Sequence, residues 1–80
     1  MDAILSTKNS DYLVKNSVCE AVRARGQDGW FLSHKALGQR LLGGIDTDAK
    51  FHFNQVVSAG MRLVFENDVF TSPVVSVKPV

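Results

Sequence analysis

Eighty residues with a formal net charge of +1 make one domain with a core only a few side chains thick, and they exclude the strongly basic profile of an obvious nucleic-acid binder. A single cysteine, Cys19, rules out a disulfide framework and points to a reduced, intracellular setting. The opening residues 1–8 are too short an apolar run for a secretory signal, and no later segment is apolar for long enough to span a bilayer, so the chain reads as soluble and cytoplasmic. Between positions 8 and 40, Lys8, Lys15, Arg23, Arg25, Lys35 and Arg40 stand against Asp11, Glu20 and Asp28. This front half can make a one-sided positive surface, while the remainder is slightly acidic.

In chain order, Ala3, Ile4 and Leu5 suit an edge strand or an N-terminal arm over 1–9. Asn9 or Ser10 can cap a first helix with Asp11 in its first turn. Val14, Val18, Ala21 and Val22 then recur at the spacing of one helical face, and Gly26 stops the pattern, which predicts a helix over 10–25. Cys19 sits beside that stripe as a small filler. Gln27, Asp28 and Gly29 read as a turn, and Trp30, Phe31 and Leu32 as a brief strand whose tryptophan belongs in the core. Ser33 caps a second helix over 34–42, with Leu37 and Leu41 inward, and Gly43 and Gly44 end it and free the backbone to turn.

Asp46 or Thr47 caps a third helix over 47–66. On it Ala49, Phe53, Val56, Val57, Gly60, Leu63 and Val64 project within one arc, and Gly60 costs about 1 kcal/mol of helix propensity there, which implies a close crossing by another helix. Asn67 and Asp68 stop this helix. Val69 and Phe70, then residues 74–77, read as two strands around Thr71, Ser72 and Pro73, and both prolines fit an edge or a turn.

These elements give an α+β domain over 10–80, with three helices and a two- or three-stranded antiparallel sheet. Residues 33–44 resemble the second helix and turn of the winged helix-turn-helix superfamily, residues 47–66 its recognition helix, and residues 69–77 its wing, paired with 30–32. The resemblance implies a small transcriptional regulator that binds double-stranded DNA with helix 47–66 in the major groove. The outward arc of that helix carries Phe51, Asn54, Gln55, Ser58 and Arg62; Asn and Gln can pair with adenine and Arg with guanine. Lys35, Gln39, Arg40 and Lys50, near the glycine pair, are placed to contact phosphates.

Phe51, Met61 and Phe65 lie on or near the same arc, where an exposed apolar patch marks a partner surface. This supports a second reading, a protein-interaction module acting as adaptor, inhibitor or homodimer. The apolar tail from Val74 to Val77 offers a sheet edge to a partner. Cys19, His34 and His52 are widely spaced and lack a fourth ligand, and Asp48 and His52 form a structural pair with no nucleophile beside them. Gly38, Gly43 and Gly44 lack the spacing and the Lys-Ser/Thr ending of a phosphate loop. The chain is therefore expected to be no enzyme, and to use no metal, no cofactor and no small-molecule substrate.

Overall fold

Ala3, Leu5 and Thr7 are buried while Ile4 and Ser6 between them are half-buried, the two-residue period of a strand. The structure is a computed structural model, and it describes residues 2–53 and 57–80. Its strands are β1 (Ala3–Thr7), β2 (Ser10–Lys15), β3 (Val18–Ala24), β4 (Leu41–Ile45), β5 (Phe51–His52), β6 (Arg62–Phe65) and β7 (Val69–Pro79). All pair antiparallel in the order β3-β2-β1-β7-β6-β4-β5. Among the described residues there is no helix, so the fold is all-β and the α+β winged helix-turn-helix expectation is overturned.

The first helix fails at Asn16 and Ser17. Both take left-handed φ values, 50° and 66°, and join Lys15 to its cross-strand partner Val18 as a two-residue hairpin turn. Stiff β-branched valines on either side favour the pleated pairing. Val14 and Val22 are buried as predicted, but on facing strands instead of one helical stripe. Residues 1–9, read as an arm or an edge strand, contain β1, which lies between β2 and β7.

The second helix is reduced to one turn. Leu37 N–H donates to the His34 carbonyl at 3.0 Å and Gln39 N–H to the Ala36 carbonyl at 3.1 Å, after which the chain extends into β4. Gly43 and Gly44 do not end an element; they lie inside β4. A Cβ on Gly43 would collide with the carbonyl of His52, and one on Gly44 would sit 3.2 Å from Met61 Cβ. The glycines are needed because two neighbouring segments approach closely.

The described part of the third helix's span holds a turn, β5 and β6, and it is followed by a turn in which Asn67 and Asp68 are left-handed, at φ 63° and 58°. Leu63 and Val64 are buried as predicted, but Ala49, Phe53 and Gly60 are exposed and Val56 lies outside the described residues. Phe65 is fully buried although a helix would have turned it outward. The wing is replaced by the single 11-residue strand β7. Its first half pairs with β6 and its second half with β1, and Pro73, which has no N–H, sits at the handover. Residues 30–32 form no strand.

Leu5, Tyr12, Val14, Leu41, Leu63, Phe65 and Val74 fill the interior. The sheet also curls on itself. Val18 bridges Arg40, Cys19 N–H donates to the Gln39 carbonyl at 2.9 Å, and Leu41 N–H donates to the Ser17 carbonyl at 2.7 Å. These bonds bring the start of β4 to the start of β3, closing a ring of strands with β5 outside it. Among the described residues no helix is long and apolar enough to cross a membrane.

Candidate functional site: an exposed apolar loop pinned to a strand edge

Residues 25–40 carry the chain from β3 to β4 and run along the edge of β3 that is not paired with β2. Trp30 is 39% exposed, Phe31 42% and Leu32 101%, so the expectation that Trp30 belongs to the core is corrected. Trp30, Phe31 and Leu32 lie outside a sheet whose interior is already filled, whereas Ala36 of the same loop joins the core and Leu37 packs against it.

The loop is nevertheless held. Phe31 N–H donates to the Val22 carbonyl at 2.7 Å, fastening it to β3 midway along the strand. The guanidinium carbon of Arg23 lies 4.5 Å from the centroid of the Trp30 ring, a cation–π contact. Phe31 stacks on His34 with centroids 6.1 Å apart and rings 2° from parallel, and His34 meets Tyr12 edge-on at 5.9 Å. Ala36 N–H donates to His34 Nδ1 at 3.0 Å, which requires an unprotonated Nδ1 and leaves the proton on Nε2. Burial and the charge of Lys35 hold the His34 pKa below its ordinary value. Ala36 itself is fully buried and anchors the returning segment.

Arg23 connects the loop to a buried charge. Its Nε donates to Asp11 Oδ2 at 2.9 Å, while Ser6 Oγ donates to Asp11 Oδ1 at 2.6 Å. Burial pushes the Asp11 carboxyl up, but the hydrogen bonds from Ser6 and Arg23 and the charges of Arg23 and Arg25 outweigh it and leave the pKa lowered. Arg25, Asp28 and Lys35 are exposed on the same loop, and Arg25 Nη1 donates to the Thr7 carbonyl at 3.5 Å. The arrangement can present three apolar side chains to a complementary surface.

The residues singled out from sequence are divided by the fold. Lys35 is exposed in the loop; Gln39 Oε1 accepts from Asn67 Nδ2 at 2.9 Å; Arg40 Nε stands 3.6 Å from Glu66 Oε1. Lys50, Ser58 and Arg62 lie beyond β4, all exposed, and Asn54 and Gln55 fall outside the described residues. Phe51 is half-buried with its ring 4.4 Å from that of Phe53, Met61 is half-buried against Gly44, and Phe65 is in the core. The Phe51, Met61 and Phe65 patch is therefore not a continuous surface. Among the described residues no recognition helix joins the base-reading set, because β5 and β6 lie within its span.

Arg62 lines an open pocket of about 380 Å³ with Ile45, Asp46, Thr47, Ala49, Gly60, Phe70 and Pro73. At its rim Asp46, not Asp48, pairs with His52, Oδ2 to Nε2 at 2.7 Å. Asp46 Oδ1 also accepts from the N–H groups of Asp48 and Lys50, at 2.9 and 3.0 Å, so its pKa is lowered chiefly by His52 and then by the backbone bonds. Among the described residues no cluster of three His, Cys, Asp or Glu side chains is placed to hold a metal. Cys19 is fully buried, and burial pushes its thiol up to about 11, so it is no nucleophile near neutral pH.

Sequence reasoning passed over Leu32 and placed Trp30 inside. The available signal was an apolar run of three between Gly29 and Ser33, with turn residues on both sides and no periodic element to carry it inward. Comparisons with protein-family models, curated proteins and solved structures gave no match. The class is defined by the fold: a small all-β protein built on one curled antiparallel sheet.

Proposed function

We propose that the protein is a non-catalytic protein-interaction module whose recognition element is the loop over 25–40, with Trp30, Phe31 and Leu32 as its anchors. The observation that carries this reading is Leu32, wholly exposed directly after the partly exposed Trp30 and Phe31 on a loop fixed by the Phe31–Val22 hydrogen bond. A contiguous exposed apolar patch marks a partner surface, and Trp is prominent among the residues that dominate such interfaces. Burying Leu32 in a partner contributes about 1.5–3 kcal/mol. The pinned backbone lowers the ordering cost of binding, and Arg25 and Lys35 steer an acidic-rimmed partner towards the loop.

A second reading keeps nucleic acid as the ligand on the same loop. It is favoured by the cation–π pair of Arg23 and Trp30 beside Arg25 and Lys35, since aromatic rings flanked by cations bind single strands by stacking and charge.

Affinity capture from extract of the source cells with wild-type, Leu32→Asp and Trp30→Ala proteins tests the first reading, each captured component being purified and titrated calorimetrically. Loss of the interaction by at least about tenfold in both variants, with unchanged unfolding midpoints, is the expected result. Equal binding by all three proteins removes the loop from the account. Fluorescence anisotropy with mixed-sequence single- and double-stranded DNA across a salt series tests the second reading, which needs salt-sensitive binding that weakens in Lys35→Ala. Absence of binding at low salt sinks it.

A further inference from the structure

A second surface lies on the outer face of β4, β6 and β7. Ile45 pairs with Arg62 and Arg62 with Pro73, so the three side chains form a row across three strands on one face. The turn after β4 rises beside this row because Asp46 caps it through the Asp48 and Lys50 N–H groups, and Phe70 stands on the far side. The result is the open pocket of about 380 Å³, whose walls are mainly apolar. Its size falls at the small end of ligand-binding cavities, about 300–1,000 Å³.

The charges in this pocket are unequally engaged. Asp46 is its one acid, and both carboxylate oxygens already accept hydrogen bonds, from two backbone N–H groups and from the His52 ring. Arg62 is its one cation, and among the described residues its guanidinium makes no ion pair and no side-chain hydrogen bond. A guanidinium free beside apolar walls has the fork geometry that takes a carboxylate through two parallel N–H···O bonds.

We infer that this pocket binds a small carboxylate with a flat apolar body, the carboxylate on Arg62 and the body against Ile45, Phe70 and Pro73. Arg62 sets the charge of the ligand and the three apolar side chains set its thickness. The Asp46–His52 pair holds the turn that forms the rim. The site is independent of the loop over 25–40, so either assignment can fail without the other.

The test is a titration of the ¹⁵N-labelled 80-residue chain with 2-naphthoate and, separately, with neutral 2-naphthamide, followed by amide shifts. Saturable shifts at Ile45, Thr47, Ala49, Gly60 and Phe70 are expected with 2-naphthoate, and the loop amides of Trp30, Phe31 and Leu32 stay in place. Affinity should fall about tenfold or more for 2-naphthamide and for Arg62→Gln, with Arg62→Lys in between. Equal affinity for the two probes, unchanged binding by a folded Arg62→Gln protein, or shifts centred elsewhere would overturn the assignment. So would the absence of saturation by about 10 mM, beyond millimolar affinity. If Arg62→Gln does not fold, the probe pair and Arg62→Lys decide the question.

Discussion

The guanidinium of Arg23 supports the ring of Trp30, its central carbon 4.5 Å from the ring centroid. The same guanidinium neutralises Asp11, which is only 5% exposed, so one side chain couples a buried carboxylate to the presentation of the loop. Arg23→Ala leaves that carboxylate unpaired and should cost about 1–3 kcal/mol in urea unfolding. Trp30 fluorescence should change with it, because the ring loses the cation on its face. Arg23→Lys, which keeps the charge but not the planar fork, should recover part of both.

The Asp11 carboxyl has a lowered pKa in the folded state, so its contribution is complete above the unfolded value near 3.8 and is lost as pH falls through the lower folded value. Asp11→Asn should flatten the acid limb of the stability curve. An unchanged limb would remove the ion pair from the account of stability.

His34 gives a separate titration at milder pH. Its pKa lies below the ordinary 6.5, so the unfolded chain takes up the proton first and stability falls as pH drops from about 6.5 through the folded value. Protonation at Nδ1 also removes the acceptor for Ala36 N–H. Amide exchange at Ala36 should therefore accelerate on acidification before the sheet amides respond. Simultaneous loss of protection everywhere would mean that His34 does not hold the loop.

The glycines separate strand from helix directly. Gly43→Ala should cost about 3 kcal/mol or more or prevent folding, since the new methyl meets the His52 carbonyl, whereas Gly29→Ala, with open space around it, should stay within about 0.5 kcal/mol. A helix-ending Gly43 would give the two substitutions comparable, modest effects.

Cys19 supplies a probe of opening. Fully buried, with a pKa of about 11, it should resist thiol reagents at pH 8 at a rate set by unfolding, and react at once in denaturant. Rapid labelling of the native protein would contradict its place under the β3 edge.

Much of the burial pattern was legible in the sequence while the fold was not. Val14, Val22, Leu41, Leu63 and Val64 were predicted to face inward and are buried. Their three- and four-residue spacing arises from strands broken by tight turns, and the decisive turn, Asn16-Ser17, carries no glycine or proline to announce it. Gly43 and Gly44 looked like punctuation because the carbonyl that forbids a side chain at Gly43 belongs to His52, nine residues away and brought alongside only by the sheet. Of the candidate site, Lys35 was legible as an exposed cation. The exposure of Trp30 was not, since it depends on which edge of the sheet the loop follows.

The recognition reading depends on the loop being exposed and fixed at once, and backbone ¹⁵N relaxation over residues 30–36 measures that most directly. Order parameters near 0.85, matching the strands, are predicted for Phe31 and its neighbours, held by the bond to Val22 and the stack on His34. Values below about 0.6 across the run would mean a flexible apolar loop and would contradict the account.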